Sequence, residues 1–171
     1  LNGIIDYSLW WPIAVDLHRR HAGDDAWTAA RWPEARRLLA DLDARRDADG
    51  WLRRRDGDWL FLDWADIPKD GVVAPLQLLD LWCRRSCAEL AAAAGDGAAA
   101  RRLRRDATAL AGRLRRTAWR DGGWRAVCAP GAPPSRHAAL LAQLAGAAGG
   151  GLARATAAQL VAGRGVAPGT P

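Results

Sequence analysis

The sequence predicts an all-α fold built from helical hairpins, and three observations carry that reading. Apolar residues recur at helical spacing through nearly every segment. Two stretches about 72 residues apart repeat the same punctuation, which marks a repeating structural unit. A run of three glycines, Gly149 to Gly151, then divides the last part of the chain as the earlier units are divided.

Six helices follow from the apolar spacing. Leu9, Ile13 and Leu17 mark the first; Pro12 fits within it if Asp6 or Ser8 is the N-cap, because backbone N–H groups of a first turn lack partners anyway. Ala35, Leu38, Leu39 and Leu42 mark the second, with Pro33 near its start. In the connection 49–67, Trp51-Leu52 and Trp59-Leu60-Phe61-Leu62 flank the turn Arg55-Asp56-Gly57-Asp58, a pattern expected to form a short β-hairpin in 51–62. Val72, Leu76, Leu79, Cys83 and Leu90 give the third helix, and Leu103, Ala107, Leu110 and Leu114 the fourth. Leu140, Leu141, Leu144 and Ala148 give the fifth, and 152–162 a shorter, alanine-rich sixth.

The repeat groups these helices into three hairpins. Gly23-Asp24 ends one helix and opens the next, and an arginine-rich helix then leads to Asp49-Gly50-Trp51. Gly95-Asp96 does the same, ending in Asp121-Gly122-Gly123-Trp124. A lone hairpin cannot bury its apolar face, so such units stack into a solenoid or close into a ring.

Composition narrows the function classes. The chain has 171 residues, half of them hydrophobic, which suffices for one domain with a real core. It contains no methionine and opens at Leu1 within structured sequence, so it reads as a piece of a longer polypeptide. The net charge of +6 permits nucleic-acid binding, but Arg36, Arg45, Arg101, Arg105 and Arg115 are scattered over several helices instead of forming one tract, and no nucleic-acid partner is expected. Cys83, Cys87 and Cys128 lack the dense spacing of a disulfide scaffold, which favours a reducing, cytoplasmic setting. No apolar run approaches the roughly 20 residues that span a bilayer, so no membrane partner is expected.

Ten tryptophans stand against one tyrosine and one phenylalanine. Indole faces stack on the C–H faces of sugar rings, although most tryptophans in any chain serve the core. Trp10, Trp11, Trp59 and Trp64 fall at element ends, where binding sites concentrate. In Phe61-Leu62-Asp63-Trp64-Ala65-Asp66-Ile67 two carboxylates frame an indole; each carboxylate can accept hydrogen bonds from neighbouring sugar hydroxyls, or equally cap a helix and pair with an arginine. His137 follows the rigid Pro133-Pro134 and opens a helix, a place suited either to contact with a ligand hydroxyl or to capping and packing.

Other constellations carry less. Glu34, after a proline at a helix start, and Glu89, inside an alanine-rich helix, read as solvated or capping residues, so no acid–base pair is visible and no catalytic residue is assigned. His18 and His21 with Cys83 and Cys87 have zinc-compatible spacing but no further signature, and read as surface histidines and buried thiols. No metal or cofactor is expected.

At these residues the sequence resembles the bacterial α-L-rhamnosidases of glycoside hydrolase family 78 and their six-hairpin relatives. The resemblance runs in order through Asp6-Tyr7-Ser8-Leu9-Trp10-Trp11-Pro12, Gly23-Asp24, Asp49-Gly50, Phe61 to Asp66, Gly95-Asp96, Trp119 and Ser135-Arg136-His137-Ala138. It implies that residues 1–171 form a partial six-hairpin domain, about half of an α/α toroid truncated at both ends and completed by the rest of the same polypeptide. It further implies hydrolysis of terminal α-L-rhamnosides with inversion, with a general acid ahead of residue 1 and a general base beyond Thr170-Pro171. Asp63, Trp64 and Asp66, with Trp10 and His137, would then form part of the sugar pocket. The alternatives are another six-hairpin carbohydrate-active enzyme and a non-enzymatic helical-repeat binding module.

Overall fold

The computed structural model describes residues 3–62 and 66–165. Within them lie seven helices and one two-stranded ribbon: α1 (Ile5–Ala22), α2 (Asp25–Ala29), α3 (Trp32–Asp43), α4 (Ala74–Ala93), α5 (Gly97–Thr117), β1 (Trp119–Arg120), β2 (Gly123–Trp124), α6 (Arg136–Leu144) and α7 (Gly151–Val161). The expected all-α class holds. The extra helix, α2, arises because Pro33 at the start of α3 has no N–H to continue the ladder, so the chain breaks at residues 30–31 and restarts.

Two glycine-aspartate pairs punctuate the chain as the repeat implied. Gly23, with φ 69°, closes α1 by donating its N–H to Arg19 O, and Asp24 caps α2 through the N–H of Trp27. Asp96 caps α5 through the N–H of Ala99 and also accepts the indole N–H of Trp32 at 3.2 Å, fastening the start of α3 to the start of α5.

Cross-contacts fix the directions of the helices. Trp10 meets Trp82 and, farther along both helices, Asp16 meets Ser86, so α1 and α4 run parallel. Ala74 at the start of α4 bonds Ala126 O, Ser135 ahead of α6 bonds Trp124 O, and Arg85 midway along α4 reaches Ala145 O past the end of α6, so α6 is parallel too. The partners α3, α5 and α7 run the opposite way. Arg46 beyond the end of α3 reaches Asp80 in the first half of α4, and Gln159 near the end of α7 reaches Ser135 O ahead of α6. The N-termini of α1, α4 and α6 therefore share one end of the molecule.

Helix α4 is the axis of the packing. One side carries Leu76, Leu79, Cys83, Cys87 and Leu90 into a core with Leu9 and Ile13 of α1 and Leu39 and Leu42 of α3. The other side carries Leu78 and Leu81 into a second core with Leu110 and Leu114 of α5, Trp124, and the alanines of α6. On α6 the apolar stripe is turned relative to expectation: Ala138, Ala139 and Ala142 are buried, whereas Leu140 and Leu144 are exposed. Small side chains permit close approach to α4, and the leucines are left on an uncovered face.

Two sequence expectations are corrected. Asp6 is not an N-cap; Ile4 holds that position, and Pro12 lies in the interior of α1. The segment 51–62 turns at Asp56-Gly57 but forms no hairpin, because its two flanks are bonded elsewhere. Leu52 pairs with Arg46, and Trp59 pairs with Ile4. The ribbon forms instead at Trp119–Trp124 about Asp121 (φ 47°) and Gly122 (φ 71°), the paired left-handed conformations of a tight hairpin turn.

Two buried glutamines tie connections to helices by the same device. Gln77 in α4 accepts the Leu52 N–H at 3.1 Å and donates to Leu52 O at 2.8 Å. Gln159 in α7 accepts the Trp124 N–H at 2.7 Å and donates to Trp124 O at 3.1 Å. Truncation leaves two buried backbone groups without partners, each costing about 1–3 kcal/mol. Gln77→Ala is therefore expected to lower unfolding stability by about 2–4 kcal/mol in urea titrations, whereas Gln143→Ala, which removes a single partly buried bond, is expected to cost about 1 kcal/mol.

Candidate functional site

The candidate site lies at the shared end of α1, α4 and α6, where His137 stands in the first turn of α6 and Trp10 in the second turn of α1. Its anchor is Asp6, 1% exposed in the first turn of α1, whose two carboxylate oxygens accept the backbone N–H groups of Phe61 and Leu62, each at 3.0 Å. A second tie lies just upstream, where Trp59 donates its N–H to Gly3 O and accepts that of Ile5. The first turn of α1 thus holds the chain rigidly up to Leu62. There the backbone takes φ 56°, a left-handed conformation that a leucine adopts only when its surroundings compel it. Such compelled backbone concentrates at functional sites, and this one immediately precedes Asp63.

Aromatic rings gather along the first half of α1 and the segment around Trp59. Tyr7 and Trp59 each meet Phe61 edge to face, with centroids 5.9 and 5.5 Å apart, and Trp10 meets Trp82 at 5.5 Å. Tyr7, Trp10, Trp11 and Trp59 remain 37–53% exposed, an unusual display for large aromatic side chains. By contrast Trp32, Trp51 and Trp124 are buried in the core. Indole and phenol faces fixed by edge-to-face neighbours can stack on a sugar ring without losing much conformational freedom.

Of the other candidates, Asp66 is solvent-exposed. His137 is 8% exposed in the first turn of α6, beside the N-cap Ser135, whose hydroxyl accepts the N–H of Ala138. Asp63 and Trp64 lie outside the described residues. Trp10 stands on α1, Asp66 in the connection that leads to α4, and His137 on α6.

Several carboxylates elsewhere are committed. Asp16 is taken up by Arg19, Arg20 and the Ser86 hydroxyl, and Asp80 by Arg46 and Arg84. Burial pushes the Asp43 carboxyl up, but Arg84 and Arg46 outweigh it and hold it below the usual carboxylate range. Asp96 is held low by the N–H groups of Ala99 and Trp32. Neither can keep a proton at neutral pH as a general acid must. Glu34 pairs with Arg37, and Glu89 with Arg104.

His18 stacks edge-on against Trp27 at 4.7 Å on the surface, while Cys83 and Cys87 are wholly buried. The hydrogen bond to Cys87, reinforced by burial, pushes the Cys83 thiol well up. Among the described residues, no group of three or more His, Cys, Asp or Glu side chains is arranged to hold a metal ion, and no helix is long and apolar enough to cross a membrane.

Sequence reasoning missed the role of Asp6. Its signal was faint: an acidic residue one position inside a helix start reads as dipole complementation, and its true partners lie more than fifty residues away.

Comparison with solved structures shows that this helical fold is shared with part of two rhamnosidases. A GH78 family rhamnosidase of Bacillus sp. GL1 superposes with a TM-score of 0.77 at 24% identity over 91% of this chain and 17% of its own. A rhamnosidase from Klebsiella oxytoca, determined with rhamnose bound, gives 0.77 at 23% identity over 93% of this chain and 30% of its own. The likeness is one of fold, and the chain spans less than a third of either protein. No protein-family model and no curated protein sequence matches it.

The anchoring role of Asp6 has a local signature. Asp6→Ala removes a charged acceptor shared by two N–H groups, a loss of about 3 kcal/mol. Amide exchange at Phe61 and Leu62 is expected to accelerate at least a hundredfold while Leu52 stays protected. Unchanged exchange at both positions would show that the segment is held by something else.

Proposed function

We propose that this chain is the sugar-binding middle portion of a glycoside hydrolase that removes terminal α-L-rhamnose with inversion. The fold likeness to rhamnosidases over more than nine-tenths of the chain is the observation that carries the reading. The display of aromatic rings at one end supports it, because that is the surface a pyranose ring stacks on. In this reading the three hairpins are about half of a six-hairpin toroid. The remainder of the same polypeptide covers the exposed Leu140 and Leu144, and it brings the general acid and the general base.

Asp63 and Asp66 accept hydrogen bonds from rhamnose hydroxyls, Trp64 and Trp10 provide stacking faces, and His137 contacts a hydroxyl from the start of α6. None of these transfers the proton. The commitment of Asp6, Asp16 and Asp80 to donors supports placing the acid–base pair elsewhere in the polypeptide.

The test is hydrolysis of an aryl α-L-rhamnoside by the complete polypeptide, beside the matching glucoside, across pH. Asp63→Asn and Trp64→Ala are each expected to lower kcat/KM about ten- to a hundredfold, the loss of one charged hydrogen bond or one stacking face, while both limbs of the bell-shaped profile persist. Loss of one limb in Asp63→Asn would make Asp63 an acid or base. Preference for the glucoside would overturn the substrate assignment.

A further inference from the structure

A cavity of about 460 Å³ opens between α3, α5 and the flank of α4, and it shares no lining residue with the aromatic end. Asp43, Arg46, Arg84, Asp106, Arg113 and Arg116 supply its charged lining.

The floor is an electrically balanced ring. Asp80 accepts from Arg46 at 2.7 Å and from Arg84 at 3.2 Å, and Asp43 accepts from Arg46 at 3.0 Å and from Arg84. Asp80 is fully buried and Arg84 is 5% exposed, whereas Asp43 meets solvent, so two guanidinium groups and two carboxylates neutralise one another from the core out to the cavity surface.

The wall carries two guanidinium groups without a direct ion pair among the described residues. Arg113 lies 3.7 Å over the Trp51 ring and gives one N–H of each terminal nitrogen to the carbonyls of Asp49 and Gly50, which leaves each a second N–H to donate. Its Nε is buried with no hydrogen-bond partner among the described residues. Arg116 follows one turn later on α5. Among the described residues no carboxylate lies within ion-pair range of Arg113 or Arg116, although the lone Asp106 lines the same cavity. Burial, and then repulsion from Arg46, lowers the Arg113 pKa from its ordinary value, against the opposing pull of Asp47 and Asp80.

We propose that this cavity binds an oxyanion, a carboxylate or phosphate group, with Arg113 and Arg116 as its donors and the Arg46–Arg84 ring as its floor. Guanidinium groups match such oxygens in geometry as well as charge. Arg113 is preorganised for the task, because Trp51 and the turn at Gly50 hold its plane in place. The cavity has room for a group the size of a sugar acid, and Asp106 can accept hydrogen bonds from the hydroxyls of such a carrier. This proposal stands apart from the rhamnosidase reading, since it uses none of the same residues.

The test is calorimetric titration of the protein with inorganic phosphate, with glucuronate and with glucose, in chloride buffer of matched ionic strength. Saturable binding of phosphate or glucuronate, but not of glucose, is expected, and the stronger of the two identifies the anion's chemistry. Arg113→Gln and Arg116→Gln should each weaken it at least tenfold, while Arg101→Gln, on the same helix but outside the cavity, should leave it unchanged. Arg116 holds no ion pair among the described residues, so its variant probes binding without touching the fold. Heats that track ionic strength alone, or an Arg116→Gln protein that binds as the parent does, would overturn the proposal.

Discussion

The fold depends on a single costly placement: a helix buried along nearly its whole length that nonetheless carries charge. Fifteen of the twenty residues of α4 are buried, among them Asp80, Arg84 and Gln77. An isolated buried charge is prohibitive, so Asp80 and Arg84 require partners with correct geometry. Asp43 and Arg46 meet that requirement, and they are available only if α3 ends beside the first half of α4. Gln77 imposes a matching condition on Leu52. These polar contacts contribute less to net stability than the two apolar cores do, but they fix register and direction, which an apolar face alone leaves open.

Direction is what builds the end proposed to bind sugar. Because α1, α4 and α6 run parallel, their first turns lie together, and the connections that lead into them converge there. Asp6 converts that convergence into a rigid support. A carboxylate inside the first turn of α1 takes two consecutive N–H groups from the segment ahead of Asp63, and Leu62 accepts a left-handed backbone as the consequence. The aromatic residues of α1 and of the segment around Trp59 then have fixed neighbours and open faces.

Much of this was legible in the sequence, and the exceptions are instructive. Helical spacing located six of the seven helices, and the Gly23-Asp24 and Gly95-Asp96 pairs located the hairpin turns, because both signals act over a few residues. Apolar alternation points to a ribbon in 51–62, yet the sharper local signal is Asp121-Gly122 between Trp119 and Trp124, where the ribbon forms. Alternating apolar residues in 51–62 do pair, but with Arg46 and Ile4, and nothing local discloses that. Likewise the leucines of α6 face outward because alanines pack closer to α4, a comparison of surfaces that spacing cannot make. Among the candidate site residues, Trp10 and Trp59 announced themselves by residue type, whereas Asp6, Gln77 and Arg113 act through partners dozens of residues away.

The claim at the centre of this account is that the first turns of the parallel helices form the wall of a rhamnose site. The most direct measurement is a crystal structure of the complete polypeptide with L-rhamnose bound. The sugar is expected at the end defined by Asp6, with its ring against Trp10 or Trp64 and its hydroxyls within hydrogen-bond distance of Asp63 or Asp66. Rhamnose bound at the opposite end of α4, near Trp27 and Gly95, would contradict the account.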